Sequence, residues 1–293
     1  MRSSTAEISL FQRRRQTAQS SLAIPAESCT LNTVASARAP HADASRMKWP
    51  IEALLFDFGG TLDASGVAWK ERFYAFYRDE GLDMTAEAFQ TIFFSADDAL
   101  VGRLPRGTDL AGTVHALAAN LEAELARRGA AADKAGTRNT GDRGASVAAR
   151  FLSEASAAFA RNRPVLERLR ERYRLGVVSN FYGNLEAVCN GAGLASLFGA
   201  LVDSHCVGVE KPDPTIFRVA LDALRATPET TVLVGDSLRR DREGARRTGM
   251  RFIWMAPQSA AAVEAQAPAE PPVEHAVAEH VVTDLRELTE LLP

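Results

Sequence analysis

Three times in this chain a short, largely apolar run ends on a polar residue that can do chemistry, and that repetition constrains the fold more than any other feature. Residues 51–56 lead into Asp57, followed by Phe58-Gly59-Gly60-Thr61-Leu62. Leu175-Gly176-Val177-Val178 leads into Ser179 and Asn180. Thr231-Val232-Leu233-Val234 leads into Gly235-Asp236-Ser237-Leu238-Arg239-Arg240-Asp241. Such short continuous runs read as strands buried on both faces, as in a parallel sheet covered by helices. Ligands of an open parallel α/β sheet bind at the carboxyl ends of its strands, which is where these polar residues fall. A fourth cluster, Lys211-Pro212-Asp213-Pro214, completes the set.

Helical patterns fill the space between the runs. After the first strand they are expected over 68–80, 85–100, 109–128 and 145–161, with Gly81 as a stop signal and residues 129–144 as a mobile loop. No strand pattern interrupts this stretch, so residues 66–162 are expected to form a separate helical insert. Alternation then resumes. A helix over 164–173 begins at Pro164. Strands are expected over 175–178, 200–202, 231–234 and 252–255, with helices over 185–192, 214–225 and 239–248. Gly193 and Gly249 stand where helix C-caps favour glycine. The expected fold class is therefore α/β: a Rossmann-like parallel-sheet core, residues 49–65 and 163–293, with right-handed crossovers and an inserted α-helical domain. Residues 257–272 read as a solvated linker and 285–292 as a final helix.

Residues 1–48 differ from the rest. They are rich in Ser, Ala and Arg and poor in acids. They read as a disordered extension or a start assigned too far upstream, with an organelle transit peptide as the alternative. The chain has 293 residues, 46% hydrophobic and 24% charged, with a formal net charge of -3. That balance gives no general attraction to nucleic acid or to an anionic membrane. No apolar run approaches the roughly 20 residues of a membrane-spanning helix. Cys29, Cys189 and Cys206 are odd in number and widely spaced, which argues against a disulfide framework and fits a reducing cytoplasm.

At one sheet edge Asp57, Asp236 and Asp241 would converge. Two carboxylates about 4 Å apart repel by about 4 kcal/mol at an effective dielectric near 20, so such a group takes up a proton or a cation. Oxygen donors of this kind suit Mg²⁺. Ser179, the Asn180 backbone and Lys211 would add hydrogen-bond donors and a positive charge. Donors facing a carboxylate suit an anionic substrate that the carboxylate attacks.

With these residues in this order, the sequence resembles the haloacid dehalogenase superfamily of hydrolases from residue 51 to residue 292. The runs Glu210-Lys211-Pro212-Asp213-Pro214-Thr215-Ile216-Phe217 and Gly244-Ala245-Arg246-Arg247-Thr248-Gly249 are similar to the family as well. The resemblance implies that the insert is a cap over the site. It implies Asp57 as nucleophile, Thr61 as its supporting hydroxyl, and Ser179 as the group that binds the transferred moiety. It also implies Lys211 as the family lysine, Asp236 and Asp241 as magnesium ligands, and the Gly59 carbonyl as a further ligand. A small phosphorylated molecule is the implied substrate.

Gly59 departs from the pattern. Family phosphatases carry an Asp two residues after the nucleophile, which protonates the leaving oxygen and then activates water. Acid–base help of this kind is typically worth about 10²–10⁴-fold. Relatives without that Asp suggest several alternatives. Dehalogenases need no acid because halide leaves unaided, but they also lack the paired magnesium acids. Phosphonatases need a cap lysine, and the insert offers only Lys70 and Lys134. A phosphatase for a good leaving group, such as an acyl phosphate, needs no acid either, and Asp63 is a candidate replacement acid as well as a candidate turn residue or helix N-cap. A binding protein without turnover is a further alternative. Asp213 reads as a turn residue, and His205 and Cys206 as structural. Arg239-Arg240 and Arg246-Arg247 read as solvated helix faces. Trp69, Phe73, Tyr74, Phe76, Tyr77, Phe93 and Phe94 read as the apolar core of the insert, with one ring free to face a substrate. The expectation is a cytoplasmic Mg²⁺-dependent phosphohydrolase.

Overall fold

A computed structural model describes residues 50–129, 140–258 and 280–292. Its centre is a six-stranded, all-parallel sheet in the order β3-β2-β1-β4-β5-β6. The strands are β1 (Ala53–Phe56), β2 (Arg174–Ser179), β3 (Ala200–Asp203), β4 (Thr231–Gly235), β5 (Arg251–Met255) and β6 (His280–Val282). β1 is central and completely buried, and successive side chains point to opposite faces. Leu54 and Phe56 join one apolar core with Val177, Val232 and Val234. Ala53 and Leu55 join the other with Val178 and Leu233, against Ile216, Phe217 and Leu221 of a crossover helix (Pro214–Leu224). Burial on both faces, at about 1.5–3 kcal/mol for each large apolar side chain, explains why these runs lack polar alternation.

Register carries this order to the site. Phe56 pairs with Val177 on one side and Val234 on the other. The Asp57 amide then donates to the Val234 carbonyl (2.9 Å), so the strand ends lie level.

Among the described residues four helices lie between β1 and β2: α1 (Trp69–Asp79), α2 (Ala86–Asp98), α3 (Leu110–Arg127) and α4 (Thr140–Arg170). Thr85 caps α2 by accepting from the Ala88 amide (3.3 Å), and Asp109 caps α3 by accepting from the Gly112 amide (2.9 Å). Their inner faces meet through aromatic rings, with Phe73 and Phe151 at 5.0 Å and Tyr77 and Phe89 at 5.6 Å between centroids.

Three expectations need correction. The helices predicted over 145–161 and 164–173 are one continuous helix, α4, which begins inside the predicted loop and carries Pro164 in its interior. Proline costs a helix one hydrogen bond, but Phe159, Val165, Leu166 and Leu169 keep one buried stripe running past it. The boundary placed at residue 162 thus falls within an unbroken helix. Beyond β2 come α5 (Leu185–Gly191), α6 (Ser204–Val207) and α7 (Pro214–Leu224), and the helix predicted over 239–248 is split into a π-helical turn (Leu238–Arg242) and α8 (Glu243–Thr248). β6 was not expected, because three residues are too short to show a period. Most of the predicted linker over 257–272, and the predicted extension over 1–48, lie outside the described residues. Among the described residues no helix is long and apolar enough to cross a membrane.

Asp203, the last residue of β3, accepts from the backbone amides of Gly183 (2.9 Å), Leu185 (3.1 Å) and His205 (2.9 Å). It therefore holds the loop that follows Ser179. Leaving a buried donor such as the Leu185 amide unpaired costs about 1–3 kcal/mol. The Asp203→Ala variant is expected to lose at least that much in a urea unfolding titration, with Asp203→Asn losing less.

Candidate active site

Lys211 organises the residues at the carboxyl edge of the sheet. Its Nζ donates to Asp57 Oδ1 (2.5 Å) and to Asp241 Oδ1 (2.7 Å), and all three side chains are buried. Burial alone would lower the lysine's affinity for its proton, but Asp241 and Asp57 outweigh it and raise it. Asn180 fixes the lysine from behind. Its side-chain oxygen accepts from the Lys211 amide (2.8 Å) and its amide nitrogen donates to the Lys211 carbonyl (3.3 Å). The Asn180 side chain thus positions Lys211. Ser179, at the end of β2, donates from Oγ to Asp57 Oδ1 (3.3 Å).

Asp57, Asp236 and Asp241 bring carboxylate oxygens within 4.8 Å of one another. Ionised together, three carboxylates against one lysine would leave an excess of two negative charges in a buried site. Burial, then Asp57 and Asp241, push the Asp236 carboxyl well above the usual carboxylate range. Burial also raises Asp241, although Lys211 and the Ser237 amide (3.0 Å from Oδ2) act against it. A cluster of hard oxygen donors with an excess charge of two fits a divalent cation such as Mg²⁺. The approach is tight. A side chain at Gly60, whose φ is +94°, would run into the Asp236 carboxylate, so only glycine suits that position.

These residues line a pocket of about 170 Å³ together with Gly59, residues of α1 and α2, and Phe181 and Tyr182. Thr61 is not on the pocket wall. It is fully buried behind the loop, and its Oγ1 has no hydrogen-bond partner. His205 packs its ring near Gly102 and Gly183, and Cys206 lies on the surface with Sγ 3.9 Å from the Gly183 carbonyl. Burial pushes the Cys189 thiol up to about 12. Asp213 caps α7 by accepting from the Thr215 amide (2.8 Å). Lys134 lies outside the described residues, and Lys70 lines the pocket with Nζ on Gln90 Oε1 (2.9 Å) and Glu71 (3.1 Å).

Asp63 is fully committed elsewhere. Its Oδ1 accepts from the Gly60 amide (2.7 Å), and its Oδ2 accepts from Trp69 Nε1 (2.7 Å) and Arg72 Nη1 (2.9 Å). It does not line the pocket. Burial raises its carboxyl above the usual range, and the Arg72 charge and these hydrogen bonds pull it back. Arg72 is itself buried, donates to the Phe151 carbonyl (3.2 Å) and lies 3.8 Å over the Phe151 ring. The pair locks the loop after Asp57 to α1 and α4.

Asp97 and Tyr182, to which no sequence pattern points, also line the pocket. The Tyr182 hydroxyl donates to Asp97 Oδ1 (2.5 Å), and burial, with Asp97, raises its pKa well above the ordinary tyrosine value. Arg240, expected on a solvated helix face, lines the pocket as well. It is exposed, yet it borders the pocket mouth because the π-helical turn carries it there.

A family model described as haloacid dehalogenase-like hydrolase matches residues 51–249. The chain is 46% identical to the phosphoserine phosphatase of Thermus thermophilus over 65 residues, 22% of this chain and 26% of that protein. It is 33% identical to the glyceraldehyde 3-phosphate phosphatase of Pyrococcus furiosus over 99 residues, 34% of this chain and 38% of that one. The chain thus matches about a quarter to two fifths of the length of these curated relatives. An L-2-haloacid dehalogenase structure shares its fold at 21% identity and a TM-score of 0.52, covering 82% of this chain and 97% of that one.

Two outcomes follow from the electrostatics. Replacing Arg72 by Met leaves Asp63 buried without its counter-charge, and is expected to cost about 3–5 kcal/mol of stability, with part recovered in Asp63→Asn/Arg72→Met. For Asp236, a folded-state pKa raised above 3.8 means that the metal-free protein loses stability as pH rises through that higher value. Melting temperature in EDTA should therefore fall as pH rises above the ordinary carboxylate range, more steeply for wild type than for Asp236→Asn. A divalent cation held by these acids would stabilise the protein more as pH rises, since it would compete with the proton for the same oxygens.

Proposed function

The chain belongs to the haloacid dehalogenase-like hydrolases, and on that footing we propose that it is a Mg²⁺-dependent phosphohydrolase that transfers a phosphoryl group from a small phosphorylated metabolite to Asp57. The observation that carries this reading is the buried cluster of Asp57, Asp236 and Asp241 held by Lys211. Three buried acids at one strand edge are costly unless they serve a cation, and a carbon–halogen hydrolase working without metal has no use for Asp236 and Asp241. Phosphatase names among the relatives agree with it.

The Asp57 carboxylate attacks phosphorus while the Lys211 ammonium and the Ser179 hydroxyl sit beside it as donors for the phosphoryl oxygens. Mg²⁺, held by Asp57, Asp236, Asp241 and the Gly59 carbonyl, would neutralise charge on the phosphoryl group and the acids. Water then cleaves the aspartyl-phosphate and restores Asp57. Lys70 and Arg240 at the mouth favour an anionic substrate. The helical insert, residues 66–162, is proposed as the cap that covers the reaction and excludes water, and its side chains on the pocket wall as the source of selectivity. A pocket of about 170 Å³ favours a small substrate.

The test is phosphate release from acetyl phosphate and a panel of phosphomonoesters. Turnover is expected to need Mg²⁺, to stop with EDTA, and to fall by at least about 10³-fold in Asp57→Asn, since the attacking group is gone. Metal-independent halide release from 2-haloacids, with no phosphate release, would support the dehalogenase reading in its place.

A further inference from the structure

The space beside Gly59 is occupied. A Cβ built on Gly59 would stand 3.1 Å from Trp69 Nε1 and 3.2 Å from its Cδ1, closer than side chains ordinarily pack. The indole belongs to the first residue of α1 and borders the pocket. Its N–H is already donated to Asp63, whose charge is held by Arg72. Its ring is wedged edge-to-face against Phe151 (4.9 Å) and Phe181 (5.9 Å). Turning the indole away would strip a buried carboxylate of a donor and open a gap in that aromatic cluster, so the ring is a fixed wall. Indole has a donor N–H and no group that titrates near neutral pH. The wall beside Gly59 can therefore neither give a proton to a leaving oxygen nor accept one from water.

We propose that Trp69 is a specificity-determining residue that confines the site to phosphoryl donors whose leaving group departs without a proton, with acyl phosphates as the favoured class. The inference rests on the phosphohydrolase reading above. In the first step an Asp57 oxygen forms a bond to phosphorus. The bond from phosphorus to the acyl oxygen breaks, and its electron pair leaves on a carboxylate, which is stable unprotonated. In the second step water attacks the aspartyl-phosphate, the Asp57 carboxylate is released, and the protons of water leave with the phosphate. An alkyl ester would have to expel an alkoxide, which needs the proton this wall does not supply. Aryl phosphates with acidic phenols share the chemistry of acyl phosphates and serve as probes.

The experiment compares kcat/KM in Mg²⁺ for acetyl phosphate, p-nitrophenyl phosphate, phenyl phosphate and ethyl phosphate. Wild type is expected to fall steeply as the leaving group becomes more basic, by at least about 100-fold from acetyl phosphate to ethyl phosphate, the size of the missing acid–base help. Trp69→Phe should keep that slope, whereas Trp69→Ala/Gly59→Asp, which opens the wall and supplies a carboxyl, should raise the ethyl phosphate rate by about 10-fold or more and flatten it. Rates for ethyl and p-nitrophenyl phosphate within a few-fold of each other, both lost in Asp57→Asn, would overturn the inference and leave the phosphohydrolase reading standing. A selective loss of ethyl phosphate turnover in Glu71→Gln would overturn it as well, by locating the proton donor on α1 at the pocket wall. Absence of phosphate release from every probe would overturn both.

Discussion

One buried ammonium holds the functional edge of this molecule together. Lys211 Nζ sits between Asp57 and Asp241, which come from the ends of two different elements. Without it, three acids that share a few ångströms would repel one another by several kcal/mol. Its place is set by Asn180, which grips the lysine backbone from the end of the neighbouring strand. The lysine therefore links β1, the loop after β2 and the turn after β4. The residual negative charge of the cluster is what makes a divalent cation a fitting partner.

A second buried ion pair, Asp63 with Arg72, performs a separate task. Asp63 takes the Gly60 amide on one oxygen, and the Trp69 indole and Arg72 on the other. The loop after Asp57 is thereby tied to α1. The chain places a glycine two residues after Asp57 and an aromatic wall against that glycine. These two features belong together, since a larger residue at position 59 would displace the indole and disturb the pair beneath it. The absence of an acid at 59 is thus built into the packing of the insert.

Much of the fold was legible because parallel strands buried on both faces leave continuous apolar runs. β1, β2, β4 and β5 stand within two residues of where those runs put them. The helix starts at Thr85 and Asp109 were equally plain, since their side chains accept the first free amides. β6 escaped because three residues show no period, and α4 was divided in two because proline marks a break that a continuous buried stripe overrode. The π-helical turn after Ser237 has no local signature, and it decides where Arg240 and Asp241 point.

By itself the sequence determined the fold class, the order of strands and helices, and a set of acids and a serine after strand ends together with Lys211 in its Lys-Pro-Asp-Pro run. Those follow from local patterns: apolar period, caps, and polar residues placed where strands stop. Only the tertiary structure decided which groups meet. Asp63 is close to Asp57 in sequence and was a candidate acid, yet its carboxylate faces Trp69 and Arg72 and does not line the pocket. Thr61 lies behind the pocket wall, while Trp69, twelve residues from Asp57, forms part of it. Direction of a side chain depends on what packs against it from distant parts of the chain, here Phe151 and Phe181, and no local pattern carries that information.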